Sequence, residues 1–219
     1  ASWSWICEQA INVSGEVDPP MALTADGSPI LLPPSGNALM STDKGCTWSS
    51  VPGPLLDRKA IDLTFDPVDP LRVLVITSTI DTIDDQGLIT YRNVLIETRD
   101  SGAGWSEVST LASDFRIETI EIASSDPRRM YVSGTANKNP LIGVIERSDD
   151  GGLTWTRTTL DLPAASGSLF ISAIHPSDPD RLWVRVPAQA DRFGLLPATL
   201  LVSTDKGATF TKLARTQQG

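Results

Sequence analysis

The chain has 219 residues, of which 40% are hydrophobic and 21% charged, with 16 Gly and 16 Pro. That composition describes a globular chain rich in turns, and no apolar run nears the ~20 residues a membrane-spanning helix needs. A formal net charge of −9 without any Lys/Arg cluster makes nucleic acid and anionic membrane poor partners.

In chain order, the opening "ASWSWICE" (Ala1–Glu8) reads as one short strand. "MALTADGSPILL" (Met21–Leu32) supplies two more, followed by "STDKGCTW" (Ser41–Trp48). That last stretch returns as "TRDSGAGW" (Thr98–Trp105), "SDDGGLTW" (Ser148–Trp155) and "STDKGATF" (Ser203–Phe210), with the turn aspartates 57, 50 and 55 residues apart. Between these copies lies a second repeated signal: "DPVDPLRVLV" (Asp66–Val75), "SSDPRRMYV" (Ser124–Val132) and "HPSDPDRLWV" (His175–Val184). Each follows a short apolar stretch: "IDLTF", "IETIEIA" or "LFISAI". One period therefore reads strand, D-P turn, strand, variable loop, strand, Asp-bearing turn, strand. In the second repeat the expected strands are Ala60–Phe65, Val73–Ser78, Val94–Thr98 and Trp105–Val108. No capped apolar run of helical period occurs, so helices are not expected.

The repeated turn has a physical logic. Asp43, Asp100, Asp150 and Asp205 can accept backbone N–H groups a few residues on. Gly45, Gly102, Gly152 and Gly207 permit positive φ. Trp48, Trp105, Trp155 and Phe210 can pin the next strand. Four copies of one residue in equivalent places cannot all converge on one active site, so these are read as structural.

The S-x-D-x-G-x-T-W pattern resembles the Asp box, or BNR repeat, of sialidases, sortilin-type receptors and xyloglucan-active glycosidases. The second copy departs from it at Thr98 and Gly104, and the fourth ends in Phe210. The resemblance covers almost the whole chain and implies an all-β β-propeller of four-stranded antiparallel blades, with repeats near 9–51, 52–108, 109–158 and 159–213. Aligning Trp3 with Trp48 makes residues 1–8 the outer strand of a preceding blade, as in a fragment of a larger propeller. A self-contained four-blade body is the alternative. Cys7 and Cys46, the only cysteines, sit in comparable parts of successive repeats of a fold that is often exported. They are the disulfide candidates, and a secreted, periplasmic or cell-surface location is expected.

Strand-by-strand alternation puts D-P turns and boxes on one face and the unequal loops on the other, where binding usually resides. The ligand-face candidates are Asp81, Asp84 and Asp85 in Thr79–Arg92, together with Tyr91, Asn137, Lys138, Asn139, Arg192 and Phe193. The three aspartates lack a calcium-loop pattern and read first as a solvated acidic hairpin. His175, the single histidine, reads as a turn residue, and neither a metal site nor a cofactor motif is present. Sialidase chemistry would need a Tyr nucleophile and an arginine trio. Tyr91 and Tyr131 come without one, and Arg72, Arg129 and Arg181 recur at the D-P turns, which points to structural use. The expected function is a non-catalytic module binding a glycan or protein. The alternative is a glycoside hydrolase needing two carboxylates that the sequence does not single out.

Overall fold

The computed structural model describes residues 20–24, 27–33, 37–136, 141–162, 168–187, 189–191, 194–196 and 198–215. Four sheets of four antiparallel strands follow one another along the chain. Blade 1 is β1 (Met21–Leu23), β2 (Pro29–Leu31), β3 (Leu39–Met40) and β4 (Ser49–Ser50). Blade 2 is β5 (Ala60–Phe65), β6 (Val73–Ile83), β7 (Ile89–Thr98) and β8 (Ser106–Leu111). Blade 3 is β9 (Phe115–Ala123), β10 (Asp126–Ala136), β11 (Ile142–Ser148) and β12 (Thr156–Asp161). In blade 4, β13 (Phe170–His175) and β14 (Asp178–Val186) are followed by a small hairpin, β15 (Gln189–Asp191) and β16 (Gly194–Leu196). The sheet then resumes with β17 (Thr199–Ser203) and β18 (Thr211–Arg215). A single 3-10 turn, Gly53–Leu55, is the only helical element among the described residues. No helix there is long and apolar enough to cross a membrane.

The strands expected in the second repeat are present, but three extend further, β8 to Leu111 and β6 and β7 by more. β6 and β7 continue as a paired ribbon to Ile83 and Ile89, so most of Thr79–Arg92 is strand rather than loop. Thr, Ile and Tyr in that stretch suit a pleated ribbon, which explains the extension. The start of the chain, including residues 1–8, lies outside the described residues.

First strands of successive blades neighbour one another, β1 with β5, β5 with β9 and β9 with β13, and so line the inside of the arc. Apolar cores fill the blade interfaces. Leu74, Leu95, Ile120, Ile122, Met130 and Val144 join blades 2 and 3. Tyr131, Ile145, Leu182 and Val184 join blades 3 and 4.

Each box folds as its residue types dictate. Ser41 Oγ donates to Asp43 Oδ1 at 2.8 Å and accepts the Gly45 N–H at 2.7 Å. Asp43 also accepts the Thr47 N–H and hydroxyl, both at 2.7 Å. Boxes three and four repeat this set around Asp150 and Asp205. In box two Gly104 stands where the others have Thr, so Asp100 keeps the backbone bond and has no hydroxyl to accept there. The residue before the box glycine is also left-handed: Lys44, Ser101 and Lys206 have φ of 61°, 58° and 65°.

Box glycines seat against the preceding blade. A Cβ on Gly152, at φ +92°, would lie 2.4 Å from Leu95 Cδ2, whereas one on Gly207, at φ +76°, would find its nearest neighbours at 3.6 Å. Gly152→Ala should therefore cost about 2–4 kcal/mol, combining left-handed backbone strain with overpacking. Gly207→Ala should cost only the backbone share, about 1–2 kcal/mol. Urea unfolding of both variants checks the order, and equal losses would contradict it.

Candidate functional site

D-P turns and boxes share one face. The N–H of Ser101, Gly151 and Lys206 donates to the carbonyl of Leu71, Arg128 and Asp180 respectively, tying each box to its own blade's D-P turn. Of the three arginines expected to be structural, Arg72 and Arg129 are buried and ion-paired, whereas Arg181 is exposed and lies over the Trp183 ring. Arg72 is buried, pairs with Asp66 at 3.0 Å and Glu97 at 2.8 Å, and reaches the Gly151 carbonyl of the next blade. Arg129 pairs with Asp180 of blade 4 at 2.6 Å. A cleft of about 330 Å³ opens on this face between blades 2 and 3, lined by Asp66, Arg72, Glu97, Arg99, Arg128 and Leu153. Arg72 and Arg99 within it are already held by acidic neighbours. Thr47 N–H, Thr154 hydroxyl and Thr209 hydroxyl are the foremost donors that pull Asp43, Asp150 and Asp205 down to about 2. Asp100 is lowered chiefly by the Gly104 N–H. Such carboxylates remain ionised at any working pH, as hydrogen-bonded turn anchors do.

On the opposite face, Asp81 is exposed near the end of β6. Asp84 accepts the N–H groups of Gln86 and Leu88 at 2.9 and 2.8 Å, closing the ribbon's turn beside Asp85. No group of His, Cys, Asp and Glu able to hold a metal occurs among the described residues. Tyr91 is buried in β7. Asn137, Lys138, Asn139, Arg192 and Phe193 lie outside the described residues, or their side chains do. Cys46 is an exposed free thiol, so the bond expected to Cys7 is not seen, and Cys7 is outside the described residues. The position explains the exposure: Cys46 is the box residue whose counterparts Ala103, Leu153 and Ala208 also face solvent.

A different set of residues converges on the inner strands. Asp62 on β5 accepts the N–H of Leu63 at 2.9 Å and, across the blade interface, the N–H of Ile120 on β9 at 3.0 Å. Thr119 holds the corresponding place in blade 3, since Asp62 pairs with Ile76 of β6 and Thr119 with Ser133 of β10. Its hydroxyl accepts the Ile171 N–H of β13 at 3.1 Å. A neutral hydroxyl thus makes the same bridge one blade along, so the fold does not require a carboxylate at residue 62. Burial raises Asp62 to about 6. Two residues beyond Thr119, Glu121 is half-buried with no hydrogen bond or ion pair among the described residues. Burial first, and the Asp62 charge second, raise it to about 7. Toward the loop face of β9, Glu118 sits at a bulge between the Thr119–Ser133 and Ile117–Gly134 pairs. It accepts from Arg116 and, at 3.1 Å, from Ser168.

Sequence reasoning passes over Asp62 and Glu121 because it treats "IDLTF" and "IETIEIA" as core strands. Acids inside such strands, at places where the other blades carry Thr64, Thr119 and Ala173, are the available signal.

Comparison with known proteins gives neither a matching family model nor a matching curated protein. Solved structures do match. A Niastella koreensis GH74 enzyme superimposes with TM-score 0.61 at 15% identity over 88% of this chain and 28% of its own. Penicillium chrysogenum α-L-arabinanase, complexed with arabinobiose, gives 0.60 at 14% identity over 89% and 65%. The NanB sialidase of Streptococcus pneumoniae gives 0.58 at 10% identity over 90% and 51%. The fold is a β-propeller. At these identities the likeness carries the architecture alone, and the chain spans between about a quarter and two thirds of the propeller proteins it matches.

Raised carboxyl groups favour their protonated forms in the folded propeller, so Asp62 and Glu121 lose stability for the fold as pH rises. The window runs from their ordinary values of 3.8 and 4.5 to about 6 and 7. The box aspartates act oppositely, and only as pH falls from 3.8 toward about 2. Thermal stability should therefore peak near pH 4–5 and decline to pH 7. Glu121→Gln should remove on the order of 2 kcal/mol of that decline. Melting curves across pH check this, and an unchanged slope in the variant would contradict it.

Proposed function

We propose that this arc belongs to a carbohydrate-acting propeller of the glycoside hydrolase kind, with Asp62 and Glu121 as its carboxyl pair. The observation that carries the reading is the convergence of two half-buried acids on adjacent inner strands, where the Asp62 charge adds to the raising of Glu121. One of them occupies a bridging position that a threonine fills equally well one blade along. Glycosidic bond cleavage needs one carboxylic acid to protonate the leaving oxygen and one carboxylate to act as base or nucleophile. Environments that separate two carboxyl groups mark those roles. Glu121, the higher of the pair, donates its proton to the leaving oxygen. Asp62, oriented by two N–H groups, works ionised. The hydrolysis requires no cofactor, and an exported location suits a polysaccharide substrate.

A binding module without turnover is the second reading. It is favoured by the β6–β7 ribbon, whose outer end exposes Ile80, Ile83 and Leu88 at 54, 62 and 51%.

The test is a hydrolysis panel spanning xyloglucan, arabinan and sialosides, chosen from the substrates that the matched propellers' names imply. Activity should be confined to a narrow optimum between pH 6 and 7, where Asp62 is ionised and Glu121 still protonated. Glu121→Gln should lower kcat by about 10²–10⁴-fold with folding intact. Binding without products, unaffected by that variant, would favour the module.

A further inference from the structure

Two seams inside the arc, between blades 2 and 3 and between blades 3 and 4, share one plan with opposite charge. Three places meet at each: the D-P arginine of the leading blade, the second residue of that blade's box, and the residue before the D-P arginine of the next blade. At the blade 3–4 seam these are Arg129, Asp149 and Asp180. Both acids pair with the one guanidinium, Asp149 at 2.5 Å from Nε and Asp180 at 2.6 Å from Nη1. The two rim positions, though on different blades, therefore converge on a single point over the seam.

At the blade 2–3 seam the same places hold Arg72, Arg99 and Arg128. Arg72 takes its acids from its own blade instead, Asp66 and Glu97. The converging rim is thus a pair of arginines, with side chains 60 and 77% exposed. Arg99 engages Glu97 through its Nε alone. Arg128 has Asp126 at 3.8 Å, beyond hydrogen-bond reach.

One further exchange opens the space between the two arginines. The fourth box residue at the blade 3–4 seam is Lys206, whose ammonium lies 3.9 Å from Asp180. Here it is Gly151, where even a Cβ would meet nothing nearer than Arg72 Nη2 at 4.0 Å. The result is the cleft of about 330 Å³ on the box face, to which blade 2 contributes Arg99 and Val108, and blade 3 contributes Pro127, Arg128 and Leu153.

We propose that this cleft binds a small phosphate monoester, with the phosphate held between Arg99 and Arg128. Such a group carries about −1.5 to −2 charge at pH 7, close to one charge per arginine. Each guanidinium can meet its oxygens with two parallel N–H donors. The anion takes the place that a guanidinium takes between Asp149 and Asp180 one seam along. Leu153, 63% exposed, and its apolar neighbours give the organic part of the ester a surface. The volume stands at the lower end of ligand pockets, roughly 300–1,000 Å³. A net charge of −9 repels polyanions, so the ligand is a small molecule. This inference rests on the fold and is independent of the catalytic reading.

Isothermal titration calorimetry of the full chain, with inorganic phosphate and with phenyl phosphate, tests it. Both should saturate at one ligand per chain, phenyl phosphate the more tightly. Arg99→Ala and Arg128→Ala should each weaken both ligands by about 10–100-fold, the loss expected for charge-assisted hydrogen bonds. Leu153→Ser should weaken phenyl phosphate alone. Arg92→Ala, which removes an exposed arginine of the opposite face, should change neither. Absence of saturable binding overturns the proposal, as does binding that survives both Arg99→Ala and Arg128→Ala. Equal weakening by Arg92→Ala also overturns it, because net charge alone would then be acting. Phenyl phosphate binding no tighter than inorganic phosphate overturns the assignment to an ester. Should one of the two alanine variants fail to fold, the other decides alone.

Discussion

The carboxylate at the centre of each Asp box is the interaction on which the structure depends. By gathering the hydroxyl and N–H donors of its own turn, it fixes a left-handed pair of residues that no ordinary loop would adopt. That geometry places a glycine close against the third strand of the blade before it. The box thereby acts between blades as much as within one. The D-P arginines reinforce the same contact, since Arg72 and Arg129 each leave their own blade to reach the next. The stiffness of the arc follows from these joints, and the inner strands inherit it.

Stiff inner strands allow a costly group to persist. Asp62 bridges blades 2 and 3 as Thr119 bridges blades 3 and 4. Only Asp62 carries a titratable charge into a partly desolvated place, which disfavours that charge. A scaffold has no use for this expense, whereas acid–base chemistry does. Charges are thus partitioned across the molecule. Box acids, ringed by the donors of their own turns, are held ionised, while the half-buried inner-strand acids are raised by burial toward the protonation range of neutral solution.

The architecture is largely legible in the sequence because the box and the D-P turn are local motifs whose residues act within a few positions of one another. Asp43, Gly45 and Trp48 can be assigned their roles from eight letters. The inner-strand site is not legible in the same way. Asp62 takes its meaning from Ile120 and Glu121, about sixty residues away. The β6–β7 ribbon reads as a loop for a related reason. Asp84 and Gly87 mark its turn, yet cross-strand pairing carries the strands almost to that turn. The spacing of Cys46 from Cys7 suggests a bond, although its place in the box, shared with Ala103 and Leu153, already indicates exposure.

The partition of charge is the central claim, and a carboxyl-carbon NMR titration of the folded protein measures it residue by residue. Glu121 should titrate near 7 and Asp62 near 6, with Asp43, Asp150 and Asp205 not protonating until about 2. Glu121 and Asp62 titrating at their ordinary values of 4.5 and 3.8 would contradict the account.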